Sequence, residues 1–215
     1  MSEALWSLSS LSDGCEMRGL RTLPLILALS TLIFACGGDD GAPPEPTTRA
    51  PTPGEDSTPF SLASNSFNAD GSIPTRFTCD GDDLSPALTW DGVPDNAQSF
   101  VLIMDDPDAP GGTFTHWVIY NMDGGARGLP EGVEKTERPD NGARGFQGRN
   151  GFGDVGYGGP CPPAGNAHSY DFKLYAVGGL LDLDAGASKE ELLAAIEGRV
   201  LAEATLIGIY KRAER

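Results

Sequence analysis

The residue types in this chain able to bind or move protons concentrate in a few short stretches. Asp105, Asp106 and Asp108 lie in Asp105-Asp106-Pro107-Asp108-Ala109-Pro110, directly after the apolar run Phe100 to Met104. The chain has only two histidines, His116 and His168, and Tyr170 follows the second by two positions. Imidazole N–H and phenol O–H groups donate to oxyanions, and Gly158 and Gly159 would let backbone N–H groups approach a ligand closely. A carboxylate beside such an anion repels it unless it hydrogen-bonds an imidazole, accepts a proton from a singly protonated phosphate or faces an ammonium group of the ligand, and the first is favoured. Asp106 is therefore expected to hydrogen-bond a histidine, and Asp108 to stabilise its own loop. The histidines show no short metal-type spacing, and Ser169 sits between His168 and Tyr170 rather than between the glycines of a nucleophile elbow. Taken alone, these residues fit packed strand histidines beside an ordinary Asp-Pro-Asp turn at least as well as a non-catalytic binding site, with a hydrolase using the His/Asp cluster as a further alternative. No cofactor is implied.

These side chains need rigid supports. The run Phe100 to Met104 reads as a buried strand ending in an acidic loop that Pro107 and Pro110 stiffen. Further extended runs recur at 113–122, 168–177 and 200–210, separated by Gly, Pro, Asn and Asp clusters. Such spacing predicts a mainly β fold, an antiparallel β-sandwich with one or two short helices. Period-two alternation places Phe114, His116, Val118 and Tyr120 on one face, and His168, Tyr170, Phe172 and Leu174 on one face of another strand. Ser188-Lys189-Glu190-Glu191 is a capping-box pattern; Leu192, Leu193 and Ile196 supply an apolar stripe and Gly198 a stop, so a short helix is expected to cover a sheet edge or end.

The Asp-Pro-Asp-Ala-Pro loop, His116-Trp117, the segment Gly148 to Asn150, Tyr157 to Pro163 and His168-Ser169-Tyr170 occur in one order. Together they resemble the phosphatidylethanolamine-binding protein (PEBP) family, in particular its bacterial YbhB/YbcL-like branch related to Raf kinase inhibitor protein. The resemblance covers roughly residues 60–212. It implies a PEBP-like sandwich of Greek-key type, with an anion pocket lined by Asp106, His116, His168 and Tyr170 that accepts a phosphate-bearing small molecule or a phospholipid head group. Pro110, Gly158, Gly159 and Pro163 complete the expected lining, and Trp117 either walls the pocket or packs into the core. Ser169 stands where many relatives carry Arg, and no room is expected after Tyr210 for the C-terminal helix of eukaryotic relatives. A protein-interaction role, as a protease or kinase inhibitor, is a rival implication with no partner indicated.

The bulk composition agrees with one domain plus an extension. Of 215 residues 39% are hydrophobic and 29 are glycine, and the formal net charge of -16 argues against nucleic-acid binding. Residues 1–16 are expected to be a mis-assigned start or a non-structural extension. From Met17, a basic stretch and the apolar run Leu23 to Ala35 have the layout of a signal peptide ending in a lipobox, with Cys36 the lipidation site. An ordinary cleaved signal or an uncleaved anchor is the alternative. Residues 37–58, rich in Pro, Thr, Gly and Asp, read as a disordered linker, and 59–212 as the folded domain. The expected location is exported, periplasmic or cell-surface, held to the membrane by an N-terminal lipid. An exported compartment permits a Cys79–Cys161 disulfide, although two free thiols fit the sequence as well.

Overall fold

The computed structural model describes residues 58–141 and 144–214, so the proposed signal peptide, Cys36 and nearly all of the linker lie outside the described residues. The strands are β1 (Ser61–Ser64), β2 (Gly71–Ser72), β3 (Leu88–Asp91), β4 (Ser99–Asp106), β5 (Phe114–Asp123), β6 (Gly128–Leu129), β7 (Phe146–Gln147), β8 (His168–Val177) and β9 (Val200–Tyr210). A single helix among the described residues, α1 (Lys189–Ile196), precedes β9, and a 3-10 turn spans Thr75–Phe77. The strands form a small sheet in the order β1-β3-β6 and a large one in the order β2-β9-β8-β4-β5-β7. All pairings are antiparallel except the short β2–β9 contact.

The main core lies between the two sheets. Leu62, Leu88, Trp90 and Leu129 of the small sheet pack against Phe100, Leu102, Met104, Phe172 and Leu174 of the large one. Trp90 lies 5.3 Å from the Phe100 ring and donates its indole N–H to the Ala126 carbonyl at 2.9 Å, which satisfies the one polar atom it carries inward. The opposite face of the large sheet is also covered: Val101, Ile103, Val118 and Tyr120 pack beneath Leu192 and Ile196 of α1. With apolar layers on both sides, β4 is buried along its whole length, which explains why Phe100 to Met104 is a continuous apolar run and not an alternating one.

The expected capping box is present, with Ser188 and Glu191 each bonding the other's backbone N–H. Two expectations for this helix are corrected. It covers the face of the large sheet instead of an edge or end, and Leu193 is exposed. Leu192 and Ile196, four apart, share the inward side, while Leu193 is turned about 100° away from Leu192. Gly198, with φ +71°, follows the helix in the left-handed region that glycine tolerates.

Candidate functional site

Three adjacent strand ends meet at the Asp-Pro-Asp-Ala-Pro loop: the end of β4, the start of β5 and the start of β8. Alternation along β4 separates its two terminal acids. Asp105 accepts hydrogen bonds from Lys189 Nζ of α1 at 2.6 Å and from Thr115 Oγ1 at 2.9 Å. Asp106 faces a pocket instead, and its Oδ2 lies 2.8 Å from Nδ1 of His168. A carboxylate can only accept here, so Nδ1 carries the proton and Nε2 is the ring atom left for a ligand. The other Asp106 oxygen takes the Asp108 N–H at 2.9 Å, closing the turn.

Asp108 clamps this loop to β8 by accepting from the Ser169 N–H at 2.8 Å and the Ser169 hydroxyl at 2.6 Å. Those two bonds from Ser169 hold the Asp108 carboxyl below its ordinary pKa. The loop is thus fixed at both carboxylates, as its sequence implied, and the Ser169 hydroxyl is committed to that clamp.

His116 reaches the same place by a route that simple alternation did not foresee. The pairing of β4 with β5 shifts register between Met104 opposite Trp117 and Asp105 opposite Thr115, leaving His116 as the extra residue of a bulge. The face expected to hold Phe114, His116, Val118 and Tyr120 is therefore broken at this point. His116 lies 5.1 Å from the Phe114 ring and 5.2 Å from the Tyr170 ring, whereas Val118 and Tyr120 belong to the opposite core under α1. Without the bulge, His116 and the inward-packed Trp117 could not both be directed to the same side of the sheet.

His116 Nδ1 donates to the Gly158 carbonyl at 2.7 Å, while the Gly158 N–H donates back to the His116 carbonyl at 2.9 Å. Burial pushes the His116 pKa below its ordinary value against the weaker upward pull of that carbonyl and of Asp106 and Asp105. The ring is accordingly neutral at physiological pH, and Nε2 presents a lone pair. Tyr170 was expected to line the pocket but lies behind it, fully buried with its ring 5.2 Å from that of His116. Its hydroxyl makes no well-formed hydrogen bond among the described residues, but the Asp106 carboxylate is near enough to act on it. Burial, then the Asp106 charge and a hydrogen-bonding interaction with that carboxylate, raise its pKa far above the ordinary tyrosine range, so it stays protonated.

Asp106, Pro110, His116, Pro163 and His168 line a pocket of about 160 Å³. This is smaller than the ~300 Å³ at which drug-sized sites begin, and suits a compact polar group. Other expected lining residues lie elsewhere. Trp117 is completely buried, donates its indole N–H to Gln147 Oε1 at 2.7 Å and stacks edge-on with Tyr157, so it supports the wall from behind. Gly158 and Gly159 border a neighbouring depression of about 470 Å³. Their N–H groups are already donated, to the His116 carbonyl and to Asp83 Oδ1 at 2.6 Å respectively. They are small because a Cβ would collide: at Gly158 with the Phe152 ring at 2.7 Å, and at Gly159 with the Phe77 carbonyl at 2.5 Å.

Cys79 and Cys161 are joined in a disulfide, with Cα atoms 5.4 Å apart, anchoring the proline-rich wall to the segment after the 3-10 turn. Phe152 also borders the pocket and was not singled out in the sequence. The signal available was an aromatic residue between two glycines, Gly151-Phe152-Gly153, in an otherwise polar loop.

The comparisons with known proteins point the same way. Residues 63–211 match the family described as phosphatidylethanolamine-binding protein. A UPF0098 protein of Methanothermobacter thermautotrophicus is 53% identical over 153 residues, covering 71% of this chain and 99% of the relative. LppC of Mycobacterium tuberculosis, provisionally named a lipoprotein, is 34% identical over 194 residues, covering 86% of this chain and 92% of its own length. The crystal structure of Escherichia coli YbcL, described as a member of the mammalian PEBP family, superposes with a TM-score of 0.66 at 31% identity, over 72% of this chain and 99% of that one. Sequence and fold therefore agree, and this chain belongs to the phosphatidylethanolamine-binding protein family, in its bacterial YbcL-like form.

Proposed function

We propose that this protein is a non-catalytic binding protein that takes a phosphate-bearing small molecule or a phospholipid head group into the pocket lined by Asp106, His116 and His168, with Tyr170 behind them. The observation that carries this reading is that both imidazoles border one small pocket with their Nδ1 atoms already bonded, His116 to the Gly158 carbonyl and His168 to Asp106, which leaves each Nε2 for a ligand. The surrounding groups make a polar set: neutral His116 offers a lone pair at Nε2, and His168 is aimed by its bond to Asp106. That set suits a singly protonated phosphate or phosphate ester, whose P–OH can donate to His116 while its other oxygens accept. Among the described residues no lysine or arginine lines the pocket, so selectivity rests on hydrogen bonding and size more than on net charge.

The natural setting in this proposal is exported and membrane-tethered through Cys36, a reading supported by the sequence layout and by the likeness to LppC. Titration calorimetry with phosphate esters tests the pocket. The wild-type protein binds, and His168→Ala weakens binding severalfold; equal affinity in the two would reject the assignment. The Asp106–His168 pair favours one second reading, a hydrolase with an oriented general base. The Ser169 hydroxyl is bonded to Asp108 and not to His168, so no Ser–His pair forms there. Turnover of phosphate or carboxylate esters that disappears in His168→Ala would decide for it.

A further inference from the structure

The pocket and the neighbouring depression of about 470 Å³ share two bordering residues, Phe152 and Cys161. We infer that this depression is a second subsite of the same binding site, receiving the organic part of a phosphate ester, with Phe152 as the surface on which a ring of that part stacks. This rests on the anion-pocket reading above.

Phe152 is half exposed, and the loop that carries it is constructed around that position. Buried Asn150 accepts the Phe152 N–H at 3.0 Å and the Asp154 N–H at 3.2 Å, and donates its amide to the Gly156 carbonyl at 3.0 Å. Gly153, at φ +88°, supplies the reversal that follows. The ring rests against Gly158, where any Cβ would strike it, and meets Phe114 at 4.7 Å and His116 at 5.6 Å. Three hydrogen bonds and a glycine reversal thus hold an apolar ring at the lip of an oxyanion pocket, between it and a larger hollow. An ester substituent leaving the small pocket on this side would meet the Phe152 ring before it reached bulk water.

The hollow also restricts what the substituent is. Its charged side chains are Asp83, Lys135 and Asp154, and Lys135 is paired to Asp83 at 2.5 Å. The remaining acid disfavours a second phosphate, and the sides of Tyr157 and Val155 suit a ring. The class of ligand is therefore a monophosphate ester of a ring-bearing group that carries no further anion.

Calorimetry on the full chain with inorganic phosphate and with phenyl phosphate tests this. Wild-type protein is expected to bind phenyl phosphate roughly 2- to 10-fold more tightly than inorganic phosphate, the range that aromatic stacking supplies. Phe152→Ala removes that preference, bringing the affinities for the two probes to within about twofold of each other, while Phe152→Trp retains the preference. Equal binding of the two probes by the wild type overturns the inference, as does a Phe152→Ala variant that weakens both alike. Phe152→Leu, which keeps apolar bulk over Gly158 without an aromatic face, should behave as Phe152→Ala; retained preference in it would also overturn stacking. If the wild type binds neither probe, the anion pocket itself fails, an outcome distinct from loss of preference alone.

Discussion

Nδ1 of His168, the first residue of β8, lies 2.8 Å from Oδ2 of Asp106, the last residue of β4, although the two are 62 positions apart in the chain. This bond fixes the ring's tautomer and its direction, and it neutralises the objection that a carboxylate should repel the ligand. Asp106→Ala leaves a buried imidazole N–H without an acceptor and releases the Asp108 N–H as well. The expected loss of stability is about 1–3 kcal/mol by urea denaturation, accompanied by weaker phosphate-ester binding.

Tyr170→Phe should separate stability from binding. The hydroxyl it removes makes no well-formed hydrogen bond in the unliganded protein, though the Asp106 carboxylate acts on it, so the urea midpoint is expected to change little. Affinity for a phosphate ester should fall roughly 2- to 10-fold, the worth of one hydrogen bond, by calorimetry. A fall in both quantities would mean that the hydroxyl has an internal partner.

His116 gives the domain an acid-sensitive component. Its folded pKa is below the ordinary 6.5, so below that value the unfolded chain binds more protons than the folded one. The contribution is fully present above pH 6.5 and is lost as pH falls through the depressed folded value. His116→Asn, whose amide N–H can replace Nδ1–H toward the Gly158 carbonyl, should show a smaller drop in urea midpoint between about pH 7.5 and about pH 5 than the wild type.

The disulfide closes a loop between residues 82 positions apart. In the chain-entropy account a crosslink of that span stabilises by about 4 kcal/mol. A Cys79→Ala/Cys161→Ala double variant should unfold at correspondingly lower urea concentration, and phosphate-ester affinity should fall because Cys161 and the adjoining Pro162 and Pro163 border the pocket.

The sequence made some of this site legible and concealed the rest for physical reasons. His168 and Tyr170 lie in an unbroken stretch of β8, so counting by twos placed both correctly toward the Phe172 and Leu174 side. Counting failed on β5 because the register shift at His116 is set by pairing with β4, which local composition does not encode. The cap at Ser188 was readable because its partners are three residues apart, while the face that α1 covers depends on distant Val101 and Val118. Gly158 and Gly159 were recognisable as points of close approach, but what approaches them is a phenyl ring and a carbonyl of the protein itself. Phe152 was overlooked because an aromatic residue in a glycine-rich loop gains meaning only once two hollows are seen on either side of it.

The position of β4 between β5 and β8 has a consequence for how the molecule assembles. Its second hydrogen-bonding edge stays open until β8 has been made, so the cleft cannot close while the chain is growing. Acquisition of its shape should be a late and comparatively slow event, as expected where distant segments must find each other. A fragment ending ahead of His168 would leave the most apolar strand with a bare edge, and such a fragment should aggregate instead of folding to a smaller stable core.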